Sequence, residues 1–169
     1  NDGSASNTAA TRDIAVTAVN DAPTGTSKTV TVQEDGSYTF TVADFGFGDV
    51  DGHALQAVRI TTLPGAGSLT LGGVAVSAGQ TVSVADITAG NLRFAPVPDA
   101  NGAPYTIFTF QVQDNGGTAN GGVDTDTTPR TMTVDIAPVN DAPVITSNGG
   151  GATAAISIAE NSTAVTTVT

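Results

Sequence analysis

The chain contains no cysteine, no tryptophan and only five Lys and Arg residues among its 169 positions. Without cysteine it can form neither disulfide bonds nor a thiolate metal site. Sixteen Asp and Glu residues leave a formal net charge of −11, which argues against nucleic-acid binding because that requires a basic surface. The same charge argues against an anionic membrane surface, and no apolar run is long enough to insert into a bilayer. We therefore expect neither a nucleic-acid partner nor membrane insertion.

Side chains that commonly carry catalysis are also scarce. The single histidine, His53, has no second imidazole with which to form a transition-metal site, and we expect it to be a solvated loop residue. Asp49 and Asp51 share one turn, which places them too close together to flank a sugar as a glycosidase pair does. No glycine-rich segment follows a strand and opens a helix, as a phosphate-binding loop requires. The sequence therefore predicts that the protein is not an enzyme.

One pentapeptide, VNDAP, occurs twice, at residues 19–23 and 139–143. Each copy follows a run of alternating apolar residues and precedes a Thr/Ser-rich stretch with an acidic segment. Such self-similarity indicates tandem repeats, and the interval of 120 residues matches the size of a domain. We predict that residues 1–19 are the C-terminal tail of a preceding repeat, residues 20–139 are one complete repeat, and residues 140–169 are the linker and the start of the next.

Apolar and polar residues alternate in several short segments, which is the pattern of half-buried strands. Gly72-Gly73 separates two such segments, as in a tight hairpin, and only residues 83–90 suggest a helical turn. About seven short strands with turn residues between them predict an all-β fold, a β-sandwich. The expected inward rows are Tyr38, Phe40 and Val42; Val58 and Ile60; Leu92 and Phe94; Phe108, Phe110 and Val112; and Met132, Val134 and Ile136.

Acidic and amide residues are concentrated near the predicted strand ends. Calcium takes six to eight oxygen ligands, and the Asp49-Val50-Asp51 turn can direct two carboxylates to one ion. Each segment alone has a simpler explanation, because Asp-Gly is first of all a turn dipeptide. The combination is more specific than its parts, which are Asn20-Asp21, Glu34-Asp35, Asp49 to Gly52, Asp99, Asp114 to Gly116, and Asn140-Asp141.

Residues 20–143 resemble the cadherin-like tandem repeats of large bacterial surface adhesins and secreted repeat proteins. The resemblance rests on VNDAP, FGFGDVDGHAL, LPGAGSLTLGGVAVSAGQ, ADITAGNLRFAPVPDANG, FTFQVQD and the second VNDAP, in that order. It implies a Greek-key β-sandwich of the cadherin or immunoglobulin type that binds calcium at the junctions between successive domains.

The resemblance also implies ligands at two poles of the domain. At the first pole, which would face the preceding repeat, they are Asn20, Asp21, Asp49, Asp51 and Asp114. At the second pole, which would face the following repeat, they are Glu34, Asp99, Asn140 and Asp141. The cadherin linker has a further Asn-Asp step where this chain has residues 17–19, so we expect one or two ions per junction.

The function implied by the resemblance is that of a calcium-binding, rigidifying spacer of an extracellular bacterial adhesin-like protein, secreted or on the cell surface, in cell adhesion or biofilm attachment. Its partners would be the adjacent repeats of the same chain. The alternative is a module that binds surface glycans or proteins through the loops at residues 46–54 and 114–130, although the longer loop reads more readily as disorder-prone padding. Copied repeats add length, which favours the spacer.

Overall fold

The structure, a computed structural model, describes residues 15–141. The chain divides into two units, Asn1–Pro138 and Val139–Thr169, and only residues 139–141 of the second unit are described. Residues 15–19, at the end of the predicted tail, are exposed and belong to no strand. Residues 1–14 of that tail, and the predicted start of the next repeat after residue 141, lie outside the described residues. The repeat boundaries therefore stay a prediction.

The described part of the first unit consists almost entirely of strands. They are β1 (Lys28–Gln33), β2 (Tyr38–Thr39), β3 (Leu55–Thr62), β4 (Ser68–Leu71), β5 (Val74–Ala75), β6 (Thr81–Ser83), β7 (Leu92–Ala95), β8 (Gly102–Asp114) and β9 (Arg130–Ala137). Between them lie one short helix, α1 (Val84–Thr88), and 3-10 turns at Val42–Asp44 and Ala119–Gly121.

The strands form two sheets that enclose one core. The larger sheet has the order β1-β9-β8-β3-β6, and the smaller has the order β2-β7-β4-β5. β1 pairs with β9 in parallel, and the other pairings between these strands are antiparallel. Buried side chains from both sheets pack into one hydrophobic cluster. The predicted all-β sandwich is therefore confirmed, with nine strands in residues 15–141 where about seven were expected.

Phenylalanine rings fill the centre of the sandwich. Phe108 and Phe110 of β8 are fully buried, and each meets a ring from the segment that follows β2. Phe40 packs edge-to-face on Phe108 with ring centroids 5.6 Å apart, and Phe45 packs on Phe110 at 5.0 Å. Such pairs add to the free energy gained by burying the rings. The inward rows predicted for β3, β7, β8 and β9 are confirmed by the burial of their apolar residues.

Two local predictions meet different outcomes. Gly72 and Gly73 join β4 to β5 with φ of 57° and 84°, the left-handed region that a tight hairpin of this kind requires, so the predicted hairpin is confirmed. The expected strand through Phe40 and Val42 is wrong beyond Thr39. Asp44 ends it, because its carboxylate accepts hydrogen bonds from the Thr41 amide and hydroxyl at 2.8 and 2.9 Å and so caps a 3-10 turn.

The long loop between β8 and β9 is ordered by hydrogen bonds, and its interpretation as padding is wrong. The Asp126 amide donates to Val112 O at 2.9 Å, which continues the sheet into the loop. The buried Asp126 carboxylate accepts two hydrogen bonds from Arg130, at 2.8 and 3.2 Å, and one from the Gly25 amide at 2.8 Å. One acidic side chain therefore ties the loop to β9 and to the N-terminal segment.

Phe110→Ala is expected to lower the free energy of unfolding by about 3–5 kcal/mol, because it leaves a cavity where Phe45 and the facing sheet now pack. The control is Val50→Ala, at a side chain that is 80% exposed, for which a change within about 0.5 kcal/mol is expected. Urea titrations of both variants measure the difference. Equal losses for the two variants would contradict this description of the core.

Candidate metal centre

The first pole is the end of the larger sheet at which β8 ends and β3 begins. Asp114, the last residue of β8, pairs with Leu55, the first residue of β3. The turn that contains Asp49 and His53 leads into β3. The segment around Asn20 also reaches this end, because Asn20 Nδ2 donates to Asp114 Oδ1 at 3.1 Å. The fold thus brings three distant parts of the chain to one point.

Asn20 is held in one orientation by its side-chain amide. Asn20 Nδ2 donates to Gly117 O at 3.1 Å and to Val123 O at 2.8 Å. Backbone carbonyls only accept hydrogen bonds, so the nitrogen and not the oxygen of the Asn20 amide must face them. Nδ2 also donates to Asp114 Oδ1 at 3.1 Å. Asn20 Oδ1 is therefore directed away from these partners, and it is buried.

Asp49 and His53 are joined by a turn of the chain. Asp49 Oδ1 accepts a hydrogen bond from the His53 backbone amide at 2.8 Å, and the Asp49 side chain is only 1% exposed. The His53 ring is 35% exposed, but its Nδ1 atom is buried and lies 3.6 Å from Asp49 Oδ1. His53 is therefore a partly solvated loop residue, as expected, but its Nδ1 atom is shielded from solvent.

Three buried polar atoms at this pole have no hydrogen-bond partner among the described residues: Asn20 Oδ1, Asp49 Oδ2 and His53 Nδ1. Ligand atoms of Asp49, His53 and Asp114 all lie within 4.8 Å of one another. Buried polar groups are nearly always partnered, and leaving them unpartnered costs about 1–3 kcal/mol each. A cation bound between these atoms would satisfy them together.

Gly116 leaves room for this convergence. A Cβ atom at position 116 would lie 2.1 Å from Asn20 Oδ1 and 2.5 Å from His53 Nδ1, which is closer than any non-bonded approach. The two unpartnered atoms therefore flank the same point beside the Gly116 backbone. A surface cavity of about 270 Å³, with Asp51 and Ala119 also on its wall, opens beside Asn20, His53 and Gly116.

Asp49 and Asp114 differ from the two other buried aspartates in their charge environment. Asp44 is paired with Lys28 at 2.7 Å and Asp126 with Arg130 at 2.8 Å. In the part of the chain that the structure describes, no Lys or Arg pairs with Asp49 or Asp114, and the nearest basic group is His53. An unpaired buried charge is costly. The first pole therefore carries buried negative charge that a bound cation would offset.

Two of the buried carboxylates show the effect of their basic partners. Burial alone would raise the pKa of Asp126, but hydrogen bonds from Arg130, Gly25 and Thr128 outweigh it and hold the pKa below its ordinary value. Burial acts on Asp44 in the same way, and hydrogen bonds from Lys28 and Thr41 lower its pKa. Both groups are therefore structural ion pairs.

The other predicted ligands are placed as follows. Asp21 and Asp51 are exposed at the first pole, where the Asp21 amide donates to Asp51 Oδ2 at 2.7 Å. Glu34 lies at the opposite end of the larger sheet, buried, and accepts a hydrogen bond from Asn101 Nδ2 at 3.0 Å. Asp99 is exposed, and its amide donates to Asp35 Oδ1 at 3.1 Å. Asn140 and Asp141 are exposed and belong to the second unit.

The structure thus brings Asn20, Asp49 and Asp114 into contact range and adds one residue that sequence reasoning missed. His53 follows Asp49 by four positions in a turn that the Asp49 carboxylate closes onto the His53 amide. That spacing was the available signal, but it is weak, because an Asp-x-Asp-Gly-His segment also occurs in ordinary turns.

Two sheets packed face to face around one core define an immunoglobulin-like β-sandwich. The chain belongs to the bacterial Ig domain family, whose model matches residues 20–136. Domains of this family typically occur in bacterial surface proteins and are generally not enzymes. No curated protein and no solved structure matches the chain. Among the described residues, no helix is long and apolar enough to cross a membrane.

Acid is expected to weaken the fold through Asp126. Its pKa is lowered by folding, so its contribution is present above the unfolded pKa near 3.9 and is lost as the pH falls through the folded value. Asp126→Asn should lower the free energy of unfolding at pH 7 by about 1.5–3 kcal/mol, as for a hydrogen bond to a charged group. It should also flatten the decline below pH 4. Asp135→Asn is the control, because this half-buried carboxylate of β9 has no ion pair among the described residues. Urea titrations from pH 7 to pH 2 test both variants, and an unchanged acid profile in Asp126→Asn would contradict the assignment.

Gly116→Ala is expected to lower the free energy of unfolding by about 1–3 kcal/mol, because the added methyl group displaces Asn20 from its hydrogen bonds. Gly65→Ala is the matched control, since a Cβ atom there meets nothing within 4 Å. It should leave stability unchanged or raise it by up to about 1 kcal/mol. Thermal unfolding of the two variants separates these outcomes. Equal stability would show that the atoms around Gly116 are not tightly packed.

Proposed function

We propose that this bacterial Ig domain is a calcium-binding, rigidifying spacer repeat of an extracellular adhesin-like protein that takes part in cell adhesion or biofilm attachment. The observation that carries the proposal is the set of unpartnered buried atoms at the first pole, above all Asp49 Oδ2. The family, which typically occurs in surface proteins, supports the cellular setting.

The donor chemistry fits a hard cation. The carboxylates of Asp49 and Asp114 and the amide oxygen of Asn20 are oxygen ligands of the kind that calcium prefers, and exposed Asp51 beside them could add another. Two unit charges within 4.8 Å of one another repel by about 3 kcal/mol at an effective dielectric constant near 20. A divalent ion converts that repulsion into attraction, while backbone carbonyls and water complete its coordination.

Stiffening follows from the position of Asn20. It belongs to the first VNDAP segment, and the residues before it, 15–19, are exposed and outside any strand. An ion that joins Asn20 to Asp49 and Asp114 would fix the direction in which the linker leaves the domain. Because VNDAP recurs after 120 residues, the same device would act at each junction of an array.

The second pole is expected to bind calcium less readily. Glu34 already accepts a hydrogen bond from Asn101, and Asp99 is exposed. The second pole therefore has less buried negative charge for a cation to offset than the first pole has. Affinity in oxygen sites follows the number of charged ligands and their rigidity. The two poles of one domain are therefore unequal in this proposal.

No specific observation favours the alternative of a glycan- or protein-binding module. Much of the loop between β8 and β9 is committed to internal hydrogen bonds: Gly117 O and Val123 O hold Asn20, and Asp126 holds Arg130. The loop at residues 46–54 supplies Asp49 and His53 to the cation centre. The polar groups that would recognise a ligand are thus largely occupied.

Calcium is expected to raise the free energy of unfolding by about 1.4–2.7 kcal/mol at 10 mM, which follows for a dissociation constant between 10⁻³ and 10⁻⁴ M. Asp49→Asn should remove most of this gain, because it deletes a buried charge with little change of shape. Glu34→Gln, at the opposite end, should keep it. Thermal melts with calcium and with a chelator, in a magnesium-containing buffer, measure both variants.

A second measurement addresses the linker itself. Calcium should slow cleavage of the exposed residues 15–19 by a nonspecific protease in the wild type but not in Asp49→Asn. If calcium changes neither melting nor cleavage, the proposed function is wrong. If Glu34→Gln alone abolishes the response, the ion lies at the second pole instead.

A further inference from the structure

We propose that the first pole is a mixed nitrogen–oxygen centre in which His53 Nδ1 enables a first-row transition ion such as Zn²⁺ to bind more tightly than calcium. The other ligands are the carboxylates of Asp49 and Asp114, with Asn20 Oδ1. The inference rests on a cation centre at this pole, as the proposed function does, but not on calcium being its occupant.

The position of His53 Nδ1 is set by the backbone. The His53 amide is bound to Asp49 Oδ1 at 2.8 Å, and this turn places the ring nitrogen 3.6 Å from the same oxygen. That separation is too long for a hydrogen bond. It is close to the spacing of about 3.4 Å between two ligands of one tetrahedral ion with bonds of about 2.0–2.1 Å. The pair is therefore spaced as two ligands and not as donor and acceptor.

A second observation is independent of the acidic cluster. Asp49 Oδ2 is buried on a side chain that is 1% exposed, and no donor among the described residues reaches it. His53 Nδ1 is likewise buried without a partner. A histidine that served only to balance the charge of Asp49 would be expected to donate a hydrogen bond to it. Ligand atoms of the two residues instead lie within 4.8 Å of a carboxylate oxygen of Asp114.

The identity of the donors selects the kind of ion. Calcium is bound by oxygen atoms, six to eight of them, at 2.3–2.6 Å, and a nitrogen ligand in the centre takes the place of one. Imidazole together with carboxylates suits zinc and its neighbours in the first transition row. One histidine, two aspartates and one amide oxygen supply four protein donors, which is the number that a tetrahedral zinc site needs.

The consequence is competition at one centre. An ion held by His53 would occupy the same carboxylates that hold calcium, so zinc would displace calcium at the first pole. The attachment of Asn20 to the domain would then be retained with a different ion. The number and direction of the protein ligands differ between zinc and calcium. The protection of residues 15–19 from protease is therefore expected to depend on which ion is bound.

The first experiment uses the fact that His53 is the only histidine in the chain. In the ¹⁵N-labelled protein, prepared without a histidine tag, the imidazole nitrogen spectrum contains signals from His53 alone. Zn²⁺ added at pH 7.5 is expected to shift the Nδ1 signal by tens of ppm, whereas Ca²⁺ is expected to leave it within a few ppm. An Nδ1 signal that Zn²⁺ does not move overturns the inference, whatever the behaviour of calcium.

The second experiment is calorimetric titration of the full chain with each ion. Zn²⁺ is expected to bind the wild type at least about tenfold more tightly than Ca²⁺. His53→Ala keeps the backbone amide that Asp49 holds, and it should weaken Zn²⁺ binding at least about tenfold while changing Ca²⁺ affinity less than about threefold. Equal losses for both ions, or no loss for either, would overturn the role of His53.

The outcomes distinguish the two proposals. If the protein binds calcium but not zinc, the proposed calcium-binding spacer is retained and the zinc inference is wrong. If zinc binds at His53 and calcium does not bind, the zinc inference is retained and the calcium part of the proposed function is wrong. Should His53→Ala fail to fold, the wild-type nitrogen spectrum still decides whether Nδ1 is a ligand.

Discussion

Two carboxylates buried at one end of a sandwich, with no Lys or Arg paired to them in residues 15–141, are the constraint on which the rest of this domain depends. Hydrogen-bond donors stabilise the Asp49 and Asp114 carboxylates in their buried positions. Asp114 Oδ1 accepts from the Gly116 amide at 2.8 Å and from Asn20 Nδ2 at 3.1 Å. These bonds stabilise one oxygen of Asp114, but they leave Asp49 Oδ2 with no partner in the described residues.

The sandwich core holds this charged end in place. β8 carries Phe108 and Phe110 into the centre of the core and ends at Asp114, so the carboxylate lies at the end of a strand that is anchored in the core. Groups on rigid, packed elements keep their geometry better than groups on loops. Asn20 is held against the end of that strand by its hydrogen bond to Asp114 and against the following loop by those to Gly117 and Val123. Ala54, which follows the Asp49–His53 turn, exchanges two hydrogen bonds with Asn115, which follows β8.

The domain uses its buried aspartates in two distinct ways. Asp44 and Asp126 are neutralised by Lys28 and Arg130, and they join the chain's own segments. Asp114 accepts a hydrogen bond from Asn20 and lies close to Asp49 without such neutralisation, which is the arrangement that the proposed cation would complete. Because its ligands come from segments far apart in the chain, binding there would be coupled to folding, as in other metal sites that the unfolded chain lacks.

The sequence by itself determined the features that are local or periodic. The alternation of β3, β7, β8 and β9, the Gly72-Gly73 hairpin and the helical turn at α1 were all readable, because each depends on neighbouring residues in the chain. The class of the fold followed from their number and spacing. β1 was not identified, because only Val30 in it is fully buried and its pairing with β9 joins segments about a hundred residues apart.

Only the tertiary structure decided which polar groups meet. Sequence pattern placed acids near strand ends, but it could not tell Asp126, which Arg130 neutralises, from Asp114, which no Lys or Arg in the described residues does. It also could not show that Asn20 Oδ1 and His53 Nδ1 converge beside Gly116. Those contacts depend on side-chain direction and on chain segments far apart in sequence, up to the 103 residues between Asn20 and Val123, and neither is encoded in a local period.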